Sequence, residues 1–288
     1  MPPMEPGLVA LVAITFLAAF VNGALGYGFS SLTVPVGLVF FANRVLNPAL
    51  VLIEVFINLY VVFINRSALR AAWMRVWPIV VGLAPGVALG SYLLAALHPD
   101  WLKLGTYSVL LPLLLVQAAG VRRPIKAEAA IGVPFGAGLG VLYSVTTISG
   151  PPLALLFNNQ GLVKHEFRAG LALIRVAESC LTAFAYYQLG LFTAEAMQVG
   201  SWIVPSVLVG IPLGAWAIRR LDAETFRRIC MSFDVWVVGF GLSRTLITLK
   251  LAQSPGAYTA MAVAGTLDLI LLFYFFNVHL RRDRSAAG

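Results

Sequence analysis

An all-α polytopic membrane protein built from two inverted repeats is the fold the sequence predicts, and three observations lead to it. Hydrophobic residues make up 60% of the 288-residue chain and charged residues 11%, with a mean hydropathy of +0.88; a soluble domain carries about 45–50% apolar and about 25% charged residues. Apolar runs reaching the roughly 20 residues that one crossing needs recur along the chain. The two halves of the chain also match each other, which points to an internal repeat. Each repeat is predicted to hold a broken or re-entrant hairpin followed by three transmembrane helices, with one extra helix at the C-terminus.

Residues 7–42 form the first apolar segment, too long for one crossing and interrupted by "GALGYGFSSLTVP", Gly23 to Pro35. Its flank, Met-Pro-Pro-Met-Glu-Pro, lacks the basic start of a cleaved signal peptide, so the segment is expected to stay in the fold. Full spans follow at roughly 47–65, 76–97 and 100–119. A second over-long segment, 128–159, is broken by "YSVTTISGPP". Further spans lie at roughly 166–189, 198–219, 229–249 and 257–280. The predicted organisation is thus a first repeat over 1–120, a second over 121–250, and a helix with a basic cytoplasmic tail over 251–288.

The match between the halves is specific in places. "LVLIEVFIN" (Leu50 to Asn58) aligns with "LALIRVAES" (Leu171 to Ser179), and the stretch from Gly86 to Lys103 aligns with that from Gly210 to Arg228. Pro35 and Phe40 find Pro152 and Phe157. Lys and Arg near span ends favour the cytoplasm. The clusters Arg66/Arg70/Arg75, Arg122/Arg123/Lys126, Lys164/Arg168, Arg219/Arg220/Arg227/Arg228 and Arg281/Arg282/Arg284 are therefore assigned inside, with Arg44, Lys103 and Lys250 outside. The loop at 66–75 holds three Arg whereas its counterpart at 190–199 holds none, so the repeats are predicted to be inverted. That puts the N-terminus outside, the C-terminus inside, and makes each over-long segment a hairpin of two half-helices or a re-entrant loop, entering from opposite faces.

Irregular backbone at membrane depth is tolerated where protein or a water-filled cavity supplies its hydrogen bonds. Broken helices in inverted repeats are a transporter architecture whose substrate sits near the midplane. Gly26 and Gly28 permit unusual backbone angles, while Ser30, Ser31 and Thr33 offer hydroxyls that can cap the next half-helix. The second segment offers Thr146, Thr147, Ser149 and Gly150 ahead of Pro151 and Pro152. Two helix N-termini converging there would each carry partial positive charge, which suits an anion. Ionisable residues within spans are costly and are usually paired or functional. Glu54 and Arg175 hold equivalent positions in the repeats and are expected to meet or to face one cavity, with Asn58, Glu178 and Ser179 one turn further on. Arg175 is expected to attract an oxyanion; either Glu54 or Glu178 would carry a coupling proton; a plain salt bridge between the repeats is the structural alternative. Asp234, Arg244 and Asp268 are weaker candidates. The pairs Gly86/Gly90 and Gly210/Gly214 read as helix packing.

Other classes fit less well. The net charge of +8 is dispersed in short clusters between spans rather than on one face, so nucleic acid is not an expected partner and the lipid bilayer is. Cys180 and Cys230 are too few for a disulfide framework or a metal cluster. The three histidines, His98, His165 and His279, fall at predicted span ends, against a haem ligand pair or a core catalytic histidine. No cofactor and no metal are expected.

The Gly-rich segments, the helix starts Pro48-Ala49-Leu50 and Arg168-Ala169-Gly170-Leu171, and the two G-x-x-L-G helices at Gly86 and Gly210 together resemble the TauE/SafE sulfite-exporter-like transporters over roughly residues 20–250. The resemblance implies movement, with export expected, of a small sulfur oxyanion or organosulfur anion such as sulfite, sulfoacetate or thiosulfate across the bacterial cytoplasmic membrane. Alternating access around a midplane anion site is the implied mechanism, with protons as the candidate coupling ion and a homodimer as one open assembly state. The chain departs from the family pattern where Tyr27 and Phe29 flank Gly28 and where the second segment is rich in hydroxyls rather than glycines. A passive anion channel and a membrane-embedded enzyme acting on a lipid phosphate are the competing readings.

Overall fold

The computed structural model describes residues 6–25, 28–64, 66–119, 128–150, 152–153, 156, 164–217 and 223–286. It is all-helical, with no strand among the described residues. In chain order the helices are α1 (Pro6–Leu25), α2 (Phe29–Phe40), α3 (Asn43–Ile64), α4 (Leu69–Ala96), α5 (Pro99–Ala118), α6 (Glu128–Thr146), α7 (Lys164–Gln188), α8 (Ala194–Ala217), α9 (Ala223–Thr248) and α10 (Thr259–Ala286). Short 3₁₀ turns at Arg66–Ala68 and Gly256–Tyr258 lead into α4 and α10. Among the described residues, seven helices are long and apolar enough to cross a membrane, whereas Phe29–Phe40 and Ile131–Thr146 are shorter apolar stretches.

Packing crosses between the two halves of the chain. Helix α1 lies against α8, and α6 lies against α4, with α7 bridging α3 and α4. Contact is close enough that a Cβ on Gly86 would strike the Ala137 carbonyl of α6, and one on Gly214 would strike the Phe20 carbonyl of α1. Both G-x-x-L-G motifs therefore serve helix approach, as small residues do in membranes. The largest apolar cluster joins α1, α2, α3, α5, α8 and α9 through residues such as Leu11, Phe29, Leu50, Tyr107, Ile203 and Val235. A smaller one, including Ile79, Leu83, Leu139 and Ile174, ties α4, α6 and α7 together.

Three expectations are revised. The first limb of the first broken segment is longer than a half-helix, since α1 has 20 residues and is long and apolar enough to cross, whereas the apolar part of α6, Ile131–Thr146, falls short of a span. Their glycines do not interrupt the helix, because Gly23 and Gly136 sit against neighbouring backbone (Ile211 and Ile79), and tertiary contact outweighs the propensity cost of about 1 kcal/mol per glycine. Arg228, assigned to a loop by its position near a span end, lies within α9 and is 3% exposed. Arg44 lies in the first turn of α3. Its guanidinium donates to the carbonyls of Leu94 (2.8 Å), Ala95 (2.6 Å) and Leu97 (2.6 Å), closing the C-terminal end of α4 where orphan carbonyls accumulate.

Candidate functional site

The two breaks in the chain share a local geometry. Gly28, which caps α2, has φ +104°, and Thr147, just past α6, has φ +55°. Left-handed backbone is easy for Gly28 and unusual for a β-branched residue such as Thr147. Each stands two residues before a serine, Ser30 or Ser149, and each serine donates to a glutamate on a following long helix. Ser30 Oγ donates to Glu54 Oε1 at 2.6 Å, and Ser149 Oγ donates to Glu178 Oε2 at 2.6 Å. This register pairs Ser30 with Ser149, two residues away from the register that the Pro35–Pro152 match suggests.

Around Glu54 the donors accumulate. Tyr143 of α6 donates its hydroxyl to Oε2 at 2.5 Å, and Arg175 Nη2 of α7 donates to Oε1 at 3.4 Å. Glu54 sits midway along α3 and Arg175 midway along α7, both buried, at 1% and 6% exposure. Asn58, one turn beyond Glu54, donates to the Arg175 carbonyl (3.3 Å) and to Ser179 Oγ (3.4 Å). Ser179 Oγ in turn donates to the Arg175 carbonyl at 2.7 Å. The network thus gathers side chains from α2, α3, α6, α7 and the segment after α6. Two of its atoms have no hydrogen-bond partner among the described residues: Arg175 Nε and Glu178 Oε1.

The remaining predicted residues divide. Thr146 Oγ1 donates to the Leu142 carbonyl (2.7 Å) and accepts the Ile148 N–H (3.0 Å), so it closes the end of α6 locally. Thr147 Oγ1 is turned to the Thr146 carbonyl at 2.7 Å. Thr33 is fully buried with its hydroxyl unpartnered among the described residues, and Ser31 is half-buried. Gly150 is buried and helical, and the Leu153 N–H donates to the Ser149 carbonyl at 3.1 Å. Gly26 lies outside the described residues, as do Pro151 and Phe157.

The broken end of α6 leaves carbonyls that membrane depth would penalise, and side chains supply their donors. Asn47 donates to the Val145 carbonyl at 2.5 Å and Asn43 at 3.4 Å, while the Tyr186 hydroxyl donates to the Ser144 carbonyl. In the other broken segment the Tyr107 hydroxyl donates to the Pro35 carbonyl at 3.0 Å. These polar supports, Tyr143 above all, were not singled out from sequence. A tyrosine in an apolar helix looks like one more aromatic, and only its hydroxyl's distant partner distinguishes it.

A second buried pair lies apart, on α9 and α10. Arg228 Nη2 meets Asp268 Oδ1 at 3.0 Å, and Ser232 donates to the other carboxylate oxygen. Asp234 is buried nearby on α9 with Oδ1 unpartnered among the described residues. No group of three or more His, Cys, Asp or Glu side chains is placed to hold a metal ion among the described residues.

Comparison with known proteins gives concordant findings. A family model described as "Sulfite exporter TauE/SafE" matches residues 11–242. A protein of Cupriavidus necator named "Probable sulfite/organosulfonate exporter TauE" is 29% identical over 185 residues, covering 60% of this chain and 68% of that protein. No solved structure matches the chain.

Proposed function

Since the chain belongs to the TauE/SafE sulfite exporter family, whose members are membrane transporters rather than enzymes, we propose that it carries a small sulfur oxyanion or organosulfonate out across a bacterial cytoplasmic membrane. The curated relative's name supports an anionic organosulfur substrate. Transport proceeds by alternating access around an anion site at mid-depth, in two inverted repeats spanning 1–120 and 121–250, with 251–288 as an added helix and tail. The crossed packing of α1 on α8 and α6 on α4 supports a two-fold relation between the repeats, because equivalent helices then exchange partners between halves. So do the paired left-handed breaks at Gly28 and Thr147. The N-terminus lies outside and the C-terminus inside, a reading that rests on the Lys and Arg distribution.

One observation carries the site: Arg175 and Glu54, at matching positions in the two halves, meet at 3.4 Å beside the serines of both breaks. A buried guanidinium whose Nε is unpartnered among the described residues offers a charge-assisted donor to an oxyanion. The N-terminal end of α2 and the helical turn after Ser149 add backbone dipole. Dehydrating a small oxyanion is expensive, so several fixed donors must act together. Glu54 keeps the empty site neutral and holds Arg175 in place.

Thermal unfolding of the purified protein with sulfite, thiosulfate, sulfoacetate, sulfate and chloride tests this reading. Stabilisation by a sulfur anion at millimolar concentration, lost in Arg175→Gln, is expected. Equal stabilisation of the wild type and Arg175→Gln would refute the assigned site.

A further inference from the structure

The two glutamates of the network are not equivalent. Glu54 accepts from three donors, one of them cationic, so both of its oxygens are satisfied in the ionised form. Glu178 is 0% exposed and, among the described residues, accepts from Ser149 alone, with no donor to Oε1. An ionised carboxylate with one bare oxygen is costly in a buried site. A protonated carboxyl leaves Oε2 to Ser149 and places the O–H on Oε1.

Among the described residues, the charged and titratable groups around Glu178 lie on α3, α6 and α7. Arg175 lies one turn back on α7, Glu54 faces it from α3, and Tyr143 faces it from α6. Helix α4 presents apolar side chains to α7, among them Val76, Ile79 and Leu83. With Glu178 neutral, Arg175 and Glu54 cancel and an arriving anion meets no net negative charge. With Glu178 ionised, the anion faces an unpaired carboxylate that also competes for Arg175.

We propose that Glu178 is the proton site of this carrier, binding one proton together with each transported anion, while Glu54 serves as the standing partner of Arg175. This rests on the anion-carrier reading above and adds the coupling ion and its seat. Because linkage is reciprocal, anion binding must draw a proton onto Glu178 as strongly as that proton tightens anion binding.

Methanesulfonate, whose single charge does not titrate, is the probe, added to purified protein in weakly buffered detergent containing a pH-indicator dye. At a pH high enough for Glu178 to be ionised in the empty protein, the wild type is expected to take up a proton as it binds methanesulfonate, with affinity weakening by up to about tenfold per pH unit as pH rises through the titration. Glu178→Gln, fixed in the neutral form, is expected to bind with a pH-independent affinity and to take up no proton. Ser149→Ala, which removes the one donor to the ionised form, is expected to move the loss of affinity to higher pH; this variant tests the assignment even if Glu178→Gln does not fold. Binding without proton uptake in the wild type, an unchanged pH slope in Glu178→Gln, or a shift to lower pH in Ser149→Ala would each overturn the proton assignment while leaving the carrier reading intact. Failure of the wild type to bind any sulfur anion would overturn the carrier reading itself.

Discussion

The losses from removing Glu54 and Arg175 singly should sum to more than the loss from removing both. At the observed 3.4 Å the pair's attraction is about 5 kcal/mol at an effective dielectric of about 20. Desolvating the two ions opposes that attraction, so the pair adds little net stability, but a lone survivor is left uncompensated. Glu54→Gln strands the Arg175 charge and weakens the bonds from Ser30 and Tyr143, with an expected loss of about 3–5 kcal/mol. Arg175→Gln is milder, because Ser30 and Tyr143 still donate to the carboxylate. The double variant should recover about 1–3 kcal/mol relative to the sum of the two single losses. Reversible unfolding in mixed detergent micelles, followed by tryptophan fluorescence, measures all three variants. Losses that add within about 0.5 kcal/mol would refute the pairing argument, since independent sites behave that way.

Further outcomes follow from the same geometry. Gly28→Val places a β-branched residue at φ +104° and should destabilise the protein by about 1–3 kcal/mol in the same unfolding measurement. Tyr143→Phe deletes a charge-assisted hydrogen bond to Glu54 and should cost about 1.5–3 kcal/mol, with a larger effect than the same change at exposed Tyr92. Single cysteines placed at exposed Arg70 and exposed Glu195 in a background without Cys180 and Cys230 should react with impermeant reagents from opposite sides of the membrane; labelling from one side would contradict the inverted repeats.

Much of the helical layout was legible because a bilayer demands long apolar runs, and the starts and ends of α3, α5 and α7 fall close to the expected spans. The Glu54–Arg175 contact was legible because the repeat alignment placed the two residues at matching positions. Other features depend on contacts distant in sequence. Arg228 looked like a topology signal at a span end, and its partner Asp268 is 40 residues away on another helix. Gly23 of α1, at the head of the first interrupted stretch, resembled a helix break, yet the backbone of α8 pressed against it keeps that helix continuous. The actual breaks occur where the backbone turns left-handed, at Gly28 and Thr147, inside the two stretches whose Gly, Ser, Thr and Pro content marked them as interrupted. The serine–glutamate bonds escaped notice for a related reason: a repeat alignment pairs like with like and does not show which hydroxyl reaches which carboxylate.

Counterflow of radiolabelled sulfite into sulfite-loaded proteoliposomes measures the central claim most directly, because exchange through an alternating site needs no external driving force. The account predicts saturable uptake with the wild type, abolished in Arg175→Gln and partly restored in Arg175→Lys, where the charge returns without the guanidinium fork. Uptake by Arg175→Gln at the wild-type rate, or none above empty liposomes with the wild type, would contradict it.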